Sequence, residues 1–295
     1  MRMRPTLTWT PVGEPLPRTR SLDPVLPLLE AGGMVALTGA GISTESGIPD
    51  YRGASGTLRR HTPMTYQEFT GSEAARQRYW ARSHLGWHTV NHARPNGGHH
   101  ALAALARAGR IDGVITQNVD GLHHAAGTPQ VVELHGSLGR VVCLDCGRTS
   151  ERAALDARLR EANPGFTAEV RRVNPDGDAE IPPEVVARFR PVDCADCGGG
   201  TLKPDVVFFG ENVPRPRVDE CHRLVDACAS LLVLGSSLTV LSGLRFVRRA
   251  AEQGKPVVIV NQGPTRGDDR AAHRIDRPLG EALTELVERL GVVPV

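Results

Sequence analysis

The chain has 295 residues, 40% of them hydrophobic, and its 35 basic and 33 acidic side chains leave a net charge of +2. That length supports one large domain with a real core. No run of about 18 apolar residues and no Lys/Arg block occurs, which excludes a membrane-crossing helix and a basic nucleic-acid stripe.

The first 22 residues are rich in Arg and Pro and lack the apolar centre of a secretory signal. Pro5, Pro11, Pro15 and Pro17 break the amphipathic helix that an organelle-targeting segment needs. They read as a flexible extension on a cytoplasmic protein. Residues 24–31 carry helical spacing and stop at Gly32-Gly33. Met34 to Thr38 then reads as a short buried strand that runs into Gly39-Ala40-Gly41-Ile42-Ser43. A strand followed by Gly-x-Gly lets backbone amides approach phosphate oxygens. The dehydrogenase fingerprint wants a third glycine where Thr44 stands, which disfavours hydride transfer. Gly47 to Gly53 adds a turn with Asp50, Tyr51 and Arg52, and Arg52 could reach a pyrophosphate held by the loop. A solvent-facing Arg is the default alternative.

Residues 54–93 read as a helical insertion dense in aromatics, among them Tyr66, Phe69, Tyr79, Trp80 and Trp87. Asn96 to Gly98 reads as a loop, and 99–108 as a helix closed by Gly109. A strand over Ile111 to Ile115 ends in Gln117, Asn118 and Asp120. Another apolar pair, Val131-Val132, ends in His135-Gly136. Strand ends of an open α/β sheet form the ligand crevice, so these side chains are a candidate rim. Taken alone, a packed core His135 and a helix-capping Asp120 are the simpler reading.

Residues 142–201 differ in kind. Cys143-Leu-Asp-Cys146 and Cys194-Ala-Asp-Cys197 supply four thiolates, the set for a closed structural zinc site. Disulfide exchange is the minor alternative, and a helical piece is expected between the pairs. Cys221 and Cys228 read as buried thiols on a helix. Lys203 to Glu211 reads as a strand with an exposed end. Leu231 to Leu234 ends in Gly235-Ser236-Ser237, and Val257 to Val260, read as the last strand, ends in Asn261-Gln262. Helices over 218–229 and 243–253 alternate with these strands. The pattern predicts an α/β fold, a doubly wound parallel sheet with polar strand ends along one crevice.

Gly39-Ala-Gly-Ile-Ser43, Gly47-Ile-Pro-Asp-Tyr-Arg52, Thr116-Gln-Asn-Val-Asp120, His135-Gly136, the cysteine pairs, Lys203 to Gly210 and Gly235-Ser-Ser237, in that order, resemble the sirtuins. The resemblance covers roughly residues 24–290. Tyr79-Trp-Ala-Arg82, Cys143 to Cys146 and Pro175 to Asp178 look most like class II, the branch of mitochondrial lipoamidase-type sirtuins and bacterial relatives. It implies a catalytic domain over 23–295. Its Rossmann-like parts would be 23–53, 94–141 and 202–295, with the helical insertion at 54–93 and the zinc module at 142–201.

The implied reaction is NAD-dependent removal of an acyl group from lysine, giving nicotinamide, free lysine and 2′-O-acyl-ADP-ribose. By the same resemblance His135 is the general base, with Asn118 and Asp120 beside it. NAD would be held by Gly39, Ala40, Gly41, Ser43, Asp50, Tyr51, Arg52, Gln117, Asn118, Asp120, Gly235, Ser236, Ser237, Asn261, Gln262, Gly263 and Leu279, with Asn118 and Asp120 on the nicotinamide-side ribose and amide. Val207, Phe208, Phe209, Gly210 and Glu211 would pair with the acyl-lysine peptide by strand addition. Tyr79 and Arg82, i and i+3 on one helix face, would take a carboxylated or polar acyl tail; a surface Arg beside a packed Tyr is the alternative. The expected partners are acyl-lysine proteins, met by a monomer that binds neither nucleic acid nor membrane. Mono-ADP-ribosyl transfer and NAD or ADP-ribose sensing are the rival activities.

Overall fold

The computed structural model describes residue 9 and residues 16–51, 63–170, 173–174 and 176–293. Helix α1 (Leu26–Ala31) ends at Gly32, whose φ of 73° needs no side chain in the way. Strand β1 (Met34–Thr38) follows and is buried at every position. It is joined in a six-stranded sheet by β2 (Ile111–Thr116), β3 (Val131–Glu133), β7 (Ser230–Leu234), β8 (Val257–Val260) and β9 (His273–Ile275), in the order β3-β2-β1-β7-β8-β9. All five pairings are parallel. Burial on both faces explains why the central strands are unbroken apolar runs instead of alternating ones. Strand order reverses between β1 and β7, the place where an open parallel sheet parts its connections and leaves a crevice.

Two apolar layers sandwich this sheet. One contains Leu29, Leu102, Leu105 and Leu283 from α1, α4 (Gly97–Arg107) and α10 (Leu279–Arg289). The other contains Leu224, Val225, Phe246 and Val247 from α8 (Arg215–Ala227) and α9 (Leu241–Glu252).

A second, three-stranded antiparallel sheet, β5-β4-β6, is made of β4 (Gly136–Cys143), β5 (Thr149–Glu151) and β6 (Leu202–Val206). Helices α2 (Tyr66–Gly71), α3 (Glu73–His92), α6 (Arg152–Ala162) and the short α7 (Pro183–Val186) pack around it through Phe69, Tyr79, Trp80, Leu155, Leu159 and Val186, with Phe189 just after α7. Buried Arg152 lies between Trp80 and Trp87, 5.4 and 5.2 Å from their ring centres, and faces Asp156 at 3.5 Å. Asp156 also meets His84 Nδ1 at 2.9 Å, so α3 and α6 are locked by a satisfied polar centre.

Four details depart from the sequence expectation. Asn96 to Gly98 is no loop: α4 starts at Gly97, and the Asn96 side chain accepts from the amides of Gly98 and His99. Glycine's low helix propensity is outweighed there by a complete capping box. The strand expected over 203–211 is Leu202–Val206, and it pairs antiparallel with β4, not within the parallel sheet. Beyond it, Phe208 to Glu211 forms a tight turn, closed by Glu211 N–H to Phe208 O at 3.0 Å with Gly210 at φ 80°. Val257–Val260 is not the last strand, because His273–Ile275 adds a parallel edge; three residues of mixed polarity carry no periodic signal.

Gly86, mid-α3, shows how tightly that helix packs against the segment between α6 and α7. A Cβ there would lie 2.2 Å from the Gly177 carbonyl oxygen. Gly86→Ala should therefore destabilise the protein by about 1–3 kcal/mol, read as a lower Tm with unchanged zinc content.

Candidate active site

The crevice is built from the carboxyl ends of β1, β2, β3 and β7. Gly39 and Gly41, just past β1, lie against Gly235, just past β7. A Cβ at Gly39 would sit 2.8 Å from Gly235 O, and one at Gly41 would sit 2.8 Å from Gly235 Cα. Gly235 itself has φ 59°, and its added Cβ would meet Leu279 Cδ1 at 2.6 Å. These glycines therefore let two strand ends touch, besides leaving the backbone bare toward a ligand. Ala40 opens the 3-10 turn Ala40–Ser46. Leu238, in the loop after Gly235, is held at φ 54°, a sparsely populated conformation for a side-chain-bearing residue.

Ser43, Asn118 and Asp120 meet in one network. Ser43 Oγ donates to Asp120 Oδ2 at 2.7 Å and accepts from Asn118 Nδ2 at 3.0 Å. Asp120 Oδ1 accepts from the Leu122 amide at 2.9 Å, a local turn bond just ahead of the next helix and not the helix cap expected as the simpler reading, since the N-cap is Gly121. The same carboxylate that holds Ser43 thus shapes the entry to α5 (Leu122–Ala125). Burial pushes the Asp120 carboxyl up, against the pull of the Leu122 and Ser43 hydrogen bonds. Behind Ser43 lies His99, fully buried, which no motif singles out. The Asn96 amide, only a donor, points at His99 Nδ1 at 3.3 Å, so the proton sits on Nε2, 3.5 Å from Ser43 Oγ. The capping-box pattern Asn96-x-x-His99 is the signal that could have found it. His123 packs edge-on to His99 and reaches Thr38 Oγ1 at 2.9 Å.

His135 stands where the chain passes from β3 into β4, between the two sheets. Its Nδ1 lies 2.9 Å from the Gln117 carbonyl oxygen and its Nε2 lies 2.7 Å from Ser242 Oγ. A carbonyl only accepts, so Nδ1 carries the hydrogen and Nε2 presents its lone pair. Burial brings the imidazole down to about 4, opposed by the Gln117 bond and helped by Arg217 and Arg245. The half-buried ring is thus neutral at pH 7, with one fixed tautomer. The next residue, Gly136, has φ 83°, and a Cβ on it would lie 1.9 Å from Asp205 O. The Gln117 amide also fills the groove at α9: its Oε1 accepts from Ser236 Oγ at 2.6 Å, and a Cβ on Gly243 would meet its Nε2 at 2.5 Å.

The remaining expected residues are spread along this rim. Ser237 Oγ pairs with Thr239 Oγ1 at 3.0 Å. Asn261 Nδ2 donates to the Gln262 and Gly263 carbonyls at 3.0 Å each. Tyr51 sits edge-on to Phe209 with centres 6.4 Å apart, following half-buried Asp50. Arg52 lies outside the described residues. Val207 N–H donates to His135 O at 2.8 Å, tying the expected peptide segment to the base's own backbone. Phe209 O accepts from the Tyr66 amide, and Gly210 O from Gln67 Nε2. Glu211 accepts from the Phe208 amide at 2.8 Å and pairs with buried Lys203 at 3.0 Å. Tyr79 is buried against Phe69, Trp80 and Phe208. Arg82 Nε instead meets Asp178 Oδ1 at 2.9 Å and Ala179 O at 2.7 Å.

The four cysteines form a metal-sized cluster. All four Sγ atoms lie within 4.8 Å of one another, and Cys143–Cys197 and Cys146–Cys194 are each 3.9 Å apart. A zinc ion with bonds of about 2.3 Å requires tetrahedral edges of about 3.8 Å, so the donor set fits. Matching turns deliver the pairs, with Gly147 N–H bonded to Cys143 O and Gly198 N–H to Cys194 O. All six cysteines are free of disulfides.

Comparison with known proteins gives one answer. A family model described as the Sir2 family matches residues 39–242. The "NAD-dependent protein deacetylase 1" of Streptomyces coelicolor is 64% identical over 292 residues, covering 99% of this chain and 97% of the relative. The mitochondrial "NAD-dependent protein lipoamidase sirtuin-4" of Bos taurus is 47% identical over 253 residues, covering 85% and 80%. Among solved structures, a Sir2 protein with a p53 peptide and NAD+ superposes with a TM-score of 0.71 at 30% identity, covering 92% of this chain and 99% of that one.

Two outcomes follow from this geometry. His99, His123 and His135 are lowered by burial to about 4, 3 and 4, so between about pH 6.5 and 4 the unfolded chain binds more protons. Stability should fall with acidification across that window, by up to about 1.4 kcal/mol per pH unit for each histidine. Asp120, raised by burial, works the other way near its lower end but is outnumbered. Thermal unfolding between pH 7.5 and 4.5 measures the slope. Cys146→Ser should release the zinc and lower Tm, the metal loss read by elemental analysis and the unfolding by calorimetry.

Proposed function

This chain belongs to the Sir2 family, the sirtuins, and we propose that His135 is the general base of its reaction. That reaction is NAD-dependent protein deacylation, on acyl-lysine peptide substrates. The observation that carries the role of His135 is its fixed tautomer. Gln117 O holds the Nδ1 hydrogen, so Nε2 alone accepts a proton, and burial keeps that nitrogen unprotonated at pH 7. When bound, NAD supplies the ribose that takes the acyl group as nicotinamide leaves.

The chain's own residues would divide the remaining work. Gly39, Ala40, Gly41 and the amides of the turn after them would face the phosphates, with Arg52. Ser43, Asn118 and Asp120 would hold the nicotinamide end, since their mutual hydrogen bonds fix each in one orientation. Ser236, Ser237, Asn261, Gln262, Gly263 and Leu279 would meet the adenosine half. The zinc would stay structural, because four thiolates leave no open position. It would brace the small sheet that carries the Phe208–Glu211 turn. The peptide would lie along that turn, beside the His135 carbonyl that Val207 already engages.

The sirtuin-4 likeness supports the class II, lipoamidase-type branch. The cytoplasm is the proposed compartment, where reducing conditions keep four thiols available to zinc. For the acyl group, the ion pair of Arg82 with Asp178 favours uncharged chains such as acetyl and lipoyl. An acidic tail would have to displace a carboxylate already in place.

The test is incubation with NAD and acetyl-, succinyl-, glutaryl-, methylglutaryl- and lipoyl-lysine peptides, followed by mass spectrometry. Loss of the acyl group with formation of acyl-ADP-ribose is expected, strongest for uncharged chains. His135→Ala should cut it by about 10²-fold or more. Preference for glutaryl peptides that disappears in Arg82→Ala would overturn the acyl assignment. Nicotinamide release without any acyl peptide would favour ADP-ribosyl transfer.

A further inference from the structure

Ser242 touches the base itself, yet it lies outside every motif that identifies this site. Its hydroxyl is 2.7 Å from His135 Nε2, the nitrogen that has to receive the proton. Because Nδ1–H is spent on the Gln117 carbonyl, the neutral ring has only an acceptor to offer at Nε2. Ser242 therefore donates.

We propose that Ser242 is a positioning residue for His135, holding the imidazole by Nε2 until the substrate hydroxyl takes its place. The inference rests on the reading of His135 as the base.

Three features support the role. Ser242 is buried, at the second position of α9, and so sits on a rigid element. The first turn of α9 is in register with the ring's other anchor, since Gly243 packs against the side chain of Gln117, whose carbonyl holds Nδ1. Both ends of the imidazole are thus set by one joint between the loop after β2 and the start of α9. Finally, a hydroxyl can donate to Nε2 of the neutral ring, the form that acts as base. An apolar side chain cannot.

The hydrogen bond also favours the neutral ring, as does the positive end of the α9 dipole. The charged groups that bear on His135 are Arg217 of α8, which is paired with Asp205 of β6, and Arg245 of α9. These stay in place when Ser242 is changed. Movement of the acid limb of the rate profile then reports Ser242.

The experiment compares wild type, Ser242→Ala, Ser242→Thr and His135→Ala as zinc-loaded full chains. It measures kcat and kcat/KM for an acetyl-lysine peptide from pH 4 to 9, with Tm and NAD binding at each pH as checks of folding. Ser242→Ala should lower kcat about tenfold and move the acid limb to higher pH, while KM for the peptide changes little. Ser242→Thr should recover both. Wild-type kcat and an unmoved limb in Ser242→Ala would overturn the proposal. So would a loss that Ser242→Thr fails to recover while its Tm and NAD binding match wild type. Full activity in His135→Ala would instead remove the base assignment on which the inference rests.

Discussion

The contact on which this structure depends is backbone against backbone. Gly41 and Gly235 approach so closely that a Cβ on Gly41 would lie 2.8 Å from the other's Cα. They stand just beyond β1 and β7, the two strands between which the sheet reverses its order. Connections leave in opposite directions from that point, so a crevice opens between them. With no side chains in the way, the chain after β1 can curl directly into the turn that carries Ser43. The same turn brings Ser43 to Asn118 and Asp120 from the neighbouring strand end. One steric condition therefore decides where the crevice lies and which polar groups line it.

Burial then sets the chemistry. His99, His123 and His135 are kept neutral by desolvation, and each has a hydrogen-bonding neighbour that orders its ring. For His135 this is useful: a neutral imidazole with a defined lone pair is a base without prior deprotonation. The accompanying loss of acid stability is the physical consequence of the same burial. His123 shows the tension plainly, since its Nδ1 is buried without a hydrogen-bond partner among the described residues. A site assembled for function tolerates what a core assembled for stability would remove.

The small module is built around different forces. A four-thiolate cluster pins two hairpin-like turns, and an arginine between two tryptophans joins α3 to α6. Its third strand, β6, leads straight into the Phe208–Glu211 turn, where buried Lys203 holds Glu211. The two parts also share a charged seam. Arg217 of α8 meets Asp205 of β6 at 2.6 Å, and Arg140 of β4 meets Glu133 of β3 at 2.8 Å. His135 sits in the turn from β3 into β4 that crosses this seam, so the base's position depends on both parts at once.

The sequence by itself determined the elements whose physics is local. Buried parallel strands such as Met34–Thr38 and Val257–Val260 announce themselves as continuous apolar runs, and Gly32 marks a helix end by its backbone freedom. Two Cys-x-x-Cys turns need only their own spacing to present four thiolates. Motif order likewise carried the family and its NAD and zinc requirements. Tertiary structure alone decided the rest. Whether Leu202–Val206 pairs parallel or antiparallel depends on its partner, and its own residues do not reveal that. The short strand His273–Ile275 forms because β8 offers an edge, not because three residues insist on extension. Arg82 and Tyr79 share a helix face in sequence, yet their partners come from residues 178–179 and from Phe69 and Phe208. Ser242, 107 positions from His135, carries no sequence signal, because a hydroxyl's role is fixed by what folding places 2.7 Å away.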